Sequence, residues 1–151
     1  MAALRPSLAL VEFVAAWESL RLHAYLDGGG VPTIGYGHTR GVQLGDECDE
    51  MQAQAWLETE LDDYGVDLLR YMERDPSQQQ YDALLSLSFN CGTRAIGESG
   101  VMARFNAGLD QECADRFLLW SKDNGKVIRG LVRRREGERA IYLFGQYDAR
   151  P

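Results

Sequence analysis

Apolar positions after Ser7 recur at helical spacing: Val11, Val14 and position 18 share one stripe, flanked by Leu10, Trp17 and Leu20. With Ser7 as N-cap behind Pro6, this predicts a helix to about Arg21. From 23 to 45 the pattern reads as short strands with Gly-rich turns, including Thr33 to Thr39 and a break at Gly41. Asp49 with Gln52 signals a second helical region through about Arg74, with Gly65 a candidate interruption. Asp75-Pro76-Ser77 stops it, and Ser77 with Gln80 opens a helix whose Tyr81, Leu84, Leu85 and Leu87 to Phe89 form the expected core. A loop over 92–100 and short helices near 100–107, 111–121 and 130–145 follow, with Gly108 as a stop, and the last six residues are expected to fray.

Composition narrows the class without naming it. With 151 residues, 45% hydrophobic and 26% charged, the chain suits one soluble domain or two tightly joined lobes with a sizeable core. No apolar run reaches membrane-spanning length, so no stable membrane insertion is expected. The stretch from Met1 to Pro6 and onward lacks a secretory pattern. A formal charge of −7 makes nucleic acid an unfavourable partner. Charge is uneven, however: residues 116–139 carry +5 and the remainder −12. Either this basic stretch faces an anionic polymer, or Arg133 to Arg139 form structural Arg–Glu pairs on a solvated helix. Anionic repulsion elsewhere predicts salt-dependent activity. Cys48, Cys91 and Cys113 lack metal-ligand spacing and read as mostly buried thiols, and with His23 and His38 they make no zinc set. His38 reads as a structural hydrogen-bond partner. Trp17, Trp56 and Trp120 read as core, Tyr36 and Phe89 as candidates to line a cleft.

The chemistry concentrates between Glu18 and Thr39. Two carboxylates, Glu18 and Asp27, stand nine residues apart. Glycoside hydrolysis uses one carboxylic acid to protonate the leaving oxygen and a second carboxylate on the other side of the bond. Glu18 on the apolar stripe is expected to be partly desolvated, with its pKa raised as a general acid requires. Asp27 opens Gly28-Gly29-Gly30 and is expected to be solvated, bonded to turn amides and ionised. Spacing alone equally admits a surface Glu in a helix and an Asp beginning a turn.

Three blocks carry a family resemblance. Glu18-x-x-Arg21-x-x-Ala24-Tyr25-x-Asp27-x-x-Gly30-x-x-Thr33-Ile34-Gly35-Tyr36-Gly37-His38-Thr39 resembles the active-site segment of phage-type lysozymes, glycoside hydrolase family 24. Gln80 through Gly92 is similar to that family's central helix. Trp120-Ser121-Lys122-x-x-Gly125-Lys126-Val127-x-x-Gly130-Leu131-Val132-x-Arg134-Arg135-x-x-Glu138-Arg139 is similar to its C-terminal signature.

The resemblance implies a predominantly helical α+β, two-lobed lysozyme-like fold. Its parts are a small β-hairpin lobe at about 14–58, a connecting helix at about 59–74, and a large helical lobe at about 75–146 joined by the N-terminal helix. It implies an endolysin hydrolysing the β-1,4 bond between N-acetylmuramic acid and N-acetylglucosamine in peptidoglycan, without metal or cofactor. Glu18 takes the place of the general acid, Asp27 of the carboxylate positioning water, Thr33 of the hydroxyl sharing that water, and Thr39, Phe89, Asn90 and Ser99 of glycan contacts. Room for a water beside Asp27 implies inversion. A monomer held in the host cytoplasm until a holin-type lesion opens the membrane is the implied context. Ser19, where many relatives have Gly, and the triple-glycine tip depart from the pattern; extra glycine raises the cost of holding Asp27. A non-catalytic wall-binding relative, a secreted toxin and a tail-associated enzyme remain alternatives.

Overall fold

In the structure, a computed structural model describing residues 4–151, the N-terminal expectation concerning Met1 to Ala3 lies outside the described residues. Helix α1 (Leu8–Trp17) begins as expected, with Ser7 Oγ accepting from Leu10 N at 3.1 Å, and it buries Leu10, Val11, Phe13 and Val14. It stops at Trp17 and not near Arg21. Glu18 is already extended at φ −91°, ψ 140°, because Arg21 is claimed by sheet pairing. Strand β1 (Arg21–Leu26) pairs antiparallel with β2 (Pro32–Gly35), Arg21 opposite Gly35 and Tyr25 opposite Thr33. The stretch from Asp46 to Cys48 takes further β1 groups: Ala24 N donates to Asp46 O and Cys48 N to Leu22 O, both at 2.9 Å. Tertiary pairing has overridden helical continuation.

Asp49 caps α2 (Glu50–Leu69) through Gln52 N at 2.8 Å. Its 20 residues span about 30 Å. Ala53, Leu57, Leu61, Gly65 and Leu68 are its buried residues. Gly65 does not interrupt it; a Cβ there would overlap the Tyr81 hydroxyl oxygen, so glycine lets α3 approach. The helix ends five residues before Arg74. The following segment is held instead by the large lobe, with Glu73 N donating to Asn106 Oδ1 at 2.8 Å and Asn106 Nδ2 to Tyr71 O at 3.0 Å. Arg74 bonds the Phe105 carbonyl and Asp110.

Ser77 and Gln80 close a capping box on α3 (Gln78–Cys91), which is buried from Tyr81 to Ser88 as the apolar run predicts. Around it lie α4 (Thr93–Gly97), inside the expected loop, α5 (Gly100–Asn106), α6 (Asp110–Arg116) with a 3-10 turn Phe117–Leu119, and α7 (Arg129–Phe144). A small hairpin, β3 (Lys122–Asp123) and β4 (Lys126–Val127), was not expected. Its two-residue turn is Asn124-Gly125, both at positive φ, a pair strongly preferred in tight hairpins. The C-terminal tail does not fray throughout: Tyr147 OH donates to Asp82 Oδ2 at 2.6 Å. The fully buried Asp82 carboxylate also accepts from Ser7 N and Oγ and from Gln78 Nε2, so it joins α1, α3 and the tail. The fold is the expected one, mostly helical with a small hairpin sheet.

Candidate active site

Asp27 is built by its turn. Its Oδ1 accepts from the amides of Gly29 and Val31, both at 2.8 Å, while Asp27 N donates to Val31 O at 3.0 Å. Gly30 supplies the positive φ of +79° that the return requires. Both bonds to the side chain fall on one oxygen, leaving the other for solvent. Thr33 is buried, and its hydroxyl donates to the same Val31 carbonyl at 2.8 Å. One residue, Val31, thus fixes the Asp27 carboxylate through its N–H and the Thr33 hydroxyl through its carbonyl, and the hydroxyl oxygen keeps acceptor capacity for a water. The expected solvated, turn-bonded Asp27 is what the structure contains.

Glu18 has different surroundings from those expected. It lies beyond the end of α1, so the helical apolar stripe does not envelop it; its side chain is 31% exposed and its Oε1 accepts from Arg134 Nη1 at 3.2 Å. Arg134, from α7, is buried and also faces Glu138 at 3.6 Å. Glu138 is fully buried against Arg135, with Oε2 accepting from Arg135 Nη2 at 3.2 Å and from Ser86 Oγ at 2.5 Å. The 2.6 Å approach of Arg135 Nε to Glu138 Oε1 lies outside hydrogen-bond geometry and acts as an ion pair. Burial pushes the Glu138 carboxyl up, opposed by Arg135 and then Arg134. Two guanidinium groups face one buried carboxylate, and Arg134 also reaches outward to bond Glu18. The structural Arg–Glu reading therefore holds for Arg134, Arg135 and Glu138, while Lys122, Lys126, Arg129 and Arg133 remain exposed.

A groove of about 900 Å³ lies between the turn after β2, α2 and the end of α3. Thr39 and Phe89 line it together. His38 makes its expected structural bond, Nδ1 to Glu60 Oε1 at 2.5 Å, and exchanges backbone bonds with Ile34 that close the turn. Trp56, expected in the core, is half-buried, stacks on His38 and lines the groove. Trp17, Trp120 and Tyr36 pack against the core cluster. Asn90 Oδ1 accepts from Arg135 Nη2 at 2.9 Å and borders another cavity with Cys91 and Trp120. Ser99 is not brought to the Thr39 groove: it N-caps α5, accepting from Val101 N and donating to Ile96 O, beside a cavity lined by Arg116 and Leu119. Only Cys113 of the three thiols is fully buried; Cys48 and Cys91 are half-buried. Sequence reasoning missed Arg134 as the partner of Glu18, and Trp56 and Tyr64 as groove residues. The Arg134-Arg135-x-x-Glu138 spacing was the available signal for the first.

The phage lysozyme family model matches residues 15–138. The chain belongs to the phage lysozyme family. It is 42% identical over 131 residues to the endolysin of Salmonella phage P22, covering 83% of this chain and 89% of that one. With the endolysin of Bacillus phage B103 it shares 38% identity over 148 residues, 93% of this chain; it spans about half of that relative, 54%. Among solved structures, the endolysin of the Escherichia coli phage FAHEc1 superposes with TM-score 0.87 at 30% identity, covering 97% of this chain and 98% of that one. The muramidase domain of SpmX from Asticaccaulis excentricus also reaches 0.87, at 33% identity over 93% and 99% of the two chains. As a member of the phage lysozyme family, the chain is a glycoside hydrolase of the muramidase type and an endolysin homologue.

Proposed function

We propose that the chain cleaves the β-1,4 bond between N-acetylmuramic acid and N-acetylglucosamine in peptidoglycan, with Glu18 donating a proton to the leaving oxygen. Asp27, with the Thr33 hydroxyl, aligns the attacking water, and the anomeric centre inverts. The observation that carries this reading is the backbone of Val31, whose N–H bonds the Asp27 carboxylate and whose carbonyl bonds the Thr33 hydroxyl, leaving an Asp27 oxygen for water. Arg134 orients Glu18 from the other lobe. Thr39, Phe89 and Asn90 contact the glycan. Ser99 contributes least, since its hydroxyl already bonds two backbone groups.

No metal or cofactor enters the reaction. The enzyme acts as a monomer on glycan strands, reaching the periplasmic wall from the host cytoplasm through a holin-type lesion. Among the described residues no helix is long and apolar enough to cross a membrane, which fits release by such a partner. The test is release of reducing ends from purified peptidoglycan. Glu18→Gln and Asp27→Asn each lower kcat about a thousandfold without lowering Tm. A Glu18→Gln enzyme that keeps its turnover overturns the assignment.

A further inference from the structure

We propose that Trp56 and Tyr64 form a sugar platform that extends the glycan cleft past Thr39 and Phe89, seating a neutral N-acetylhexosamine unit away from the bond that is cut. The inference rests on the hydrolase reading above and deepens it. The groove holding these residues, about 900 Å³, is within the size range of ligand-holding clefts. Neither aromatic belongs to the three blocks that resemble the family's signatures.

Both rings are held before any ligand arrives. Trp56 stacks on His38, ring centroids 4.2 Å apart and planes 10° apart, and His38 is itself pinned by Glu60. Tyr64 meets Phe89 edge to face at 4.9 Å, yet keeps 38% of its surface exposed. An ordered, accessible aromatic surface suits a pyranose, which presents an apolar C–H face and a polar hydroxyl rim. Thr59, Asp63 and Thr93 line the same groove and offer oxygen acceptors to that rim. The charge of the walls chooses among ligands. Glu60, Asp63 and Asp67 outnumber Arg40 there, so a carboxylate-bearing stem peptide is repelled and the uncharged sugar is accepted.

The experiment compares kcat/KM on long peptide-free glycan strands with that on the shortest fragment cleaved, in wild type, Tyr64→Ala and Tyr64→Phe. Calorimetric affinity for a neutral N-acetylglucosamine hexamer is measured in parallel. Tyr64→Ala is expected to lower the long-to-short ratio about fivefold to tenfold through KM, and hexamer affinity similarly. Tyr64→Phe, which keeps the ring, restores both. An unchanged ratio and affinity in Tyr64→Ala overturns the platform. If wild type binds the hexamer in a Tyr64-dependent manner but cleaves no glycan, the platform stands and the hydrolase reading fails.

Discussion

Asp27 and Glu18 are held by opposite strategies. Asp27 is fixed by amides two and four residues away, on an exposed turn that needs nothing from the rest of the chain. Glu18 is fixed by Arg134, 116 residues away, whose own position depends on the buried Glu138, Arg135 and Ser86. A water-directing carboxylate needs an open, polar and locally shaped setting. Glu18, the proposed proton donor, is instead anchored to the interior of the larger lobe, so its position carries the folding of the whole molecule. Damage to the core therefore reaches Glu18, whereas damage to the hairpin reaches only Asp27 and Thr33.

The largest effect is expected where the buried network is broken. Glu138→Ala leaves Arg135 without its carboxylate and costs about 3–5 kcal/mol, read as a lowered urea midpoint. Turnover falls with it, because Arg134 loses the group that positions it toward Glu18. Unchanged stability in this variant would remove the distinction between the two halves.

Alkali is the next probe, since the core holds groups that must stay neutral. Burial pushes the Cys113 thiol from near 9 up to about 11, and burial, with Asp62 and Asp82, pushes the Tyr81 hydroxyl from near 10 up to about 12. Both folded-state values are raised, so the unfolded chain loses its protons first. Stability from these groups is complete below about pH 9 and is lost as pH rises through about 11 and 12, on the order of 2–3 kcal/mol for each. Denaturant midpoints across this range check the trend, and Cys113→Ala removes the lower part of it.

The smallest effect belongs to the hairpin. Gly30 has φ +79° with open space around its missing Cβ, so Gly30→Ala is strained by backbone conformation alone, about 1 kcal/mol. Tm falls by only about 2–4 °C, but kcat on peptidoglycan falls because the Asp27 turn is disturbed. A Tm loss well beyond that local strain would mean that the turn is not locally autonomous.

The same contrast explains what could be read from the chain. The caps at Ser7, Asp49 and Ser77 and the Asp27 turn are local events, decided by residues within about four positions, and they were legible. The end of α1 was not, because it is imposed by pairing of β1 with β2 and by the bonds to Asp46 and Cys48. Glu18's setting was misread for the same reason: the stripe argument assumed a helix that stops one residue earlier, and the partner arrives from α7. Trp56 sits at a helical position that reads as core, yet its ring is claimed by His38 at the groove. Asn124-Gly125 is the instructive omission, since a tight hairpin was written there and the short flanking strands hid it.

The most direct measurement of the central claim is the anomeric configuration of the first product, followed by proton NMR during cleavage of a defined muropeptide. Water directed by Asp27 from the face opposite Glu18 gives the α-anomer first. Initial appearance of the β-anomer would contradict the account, because the configuration would then be retained.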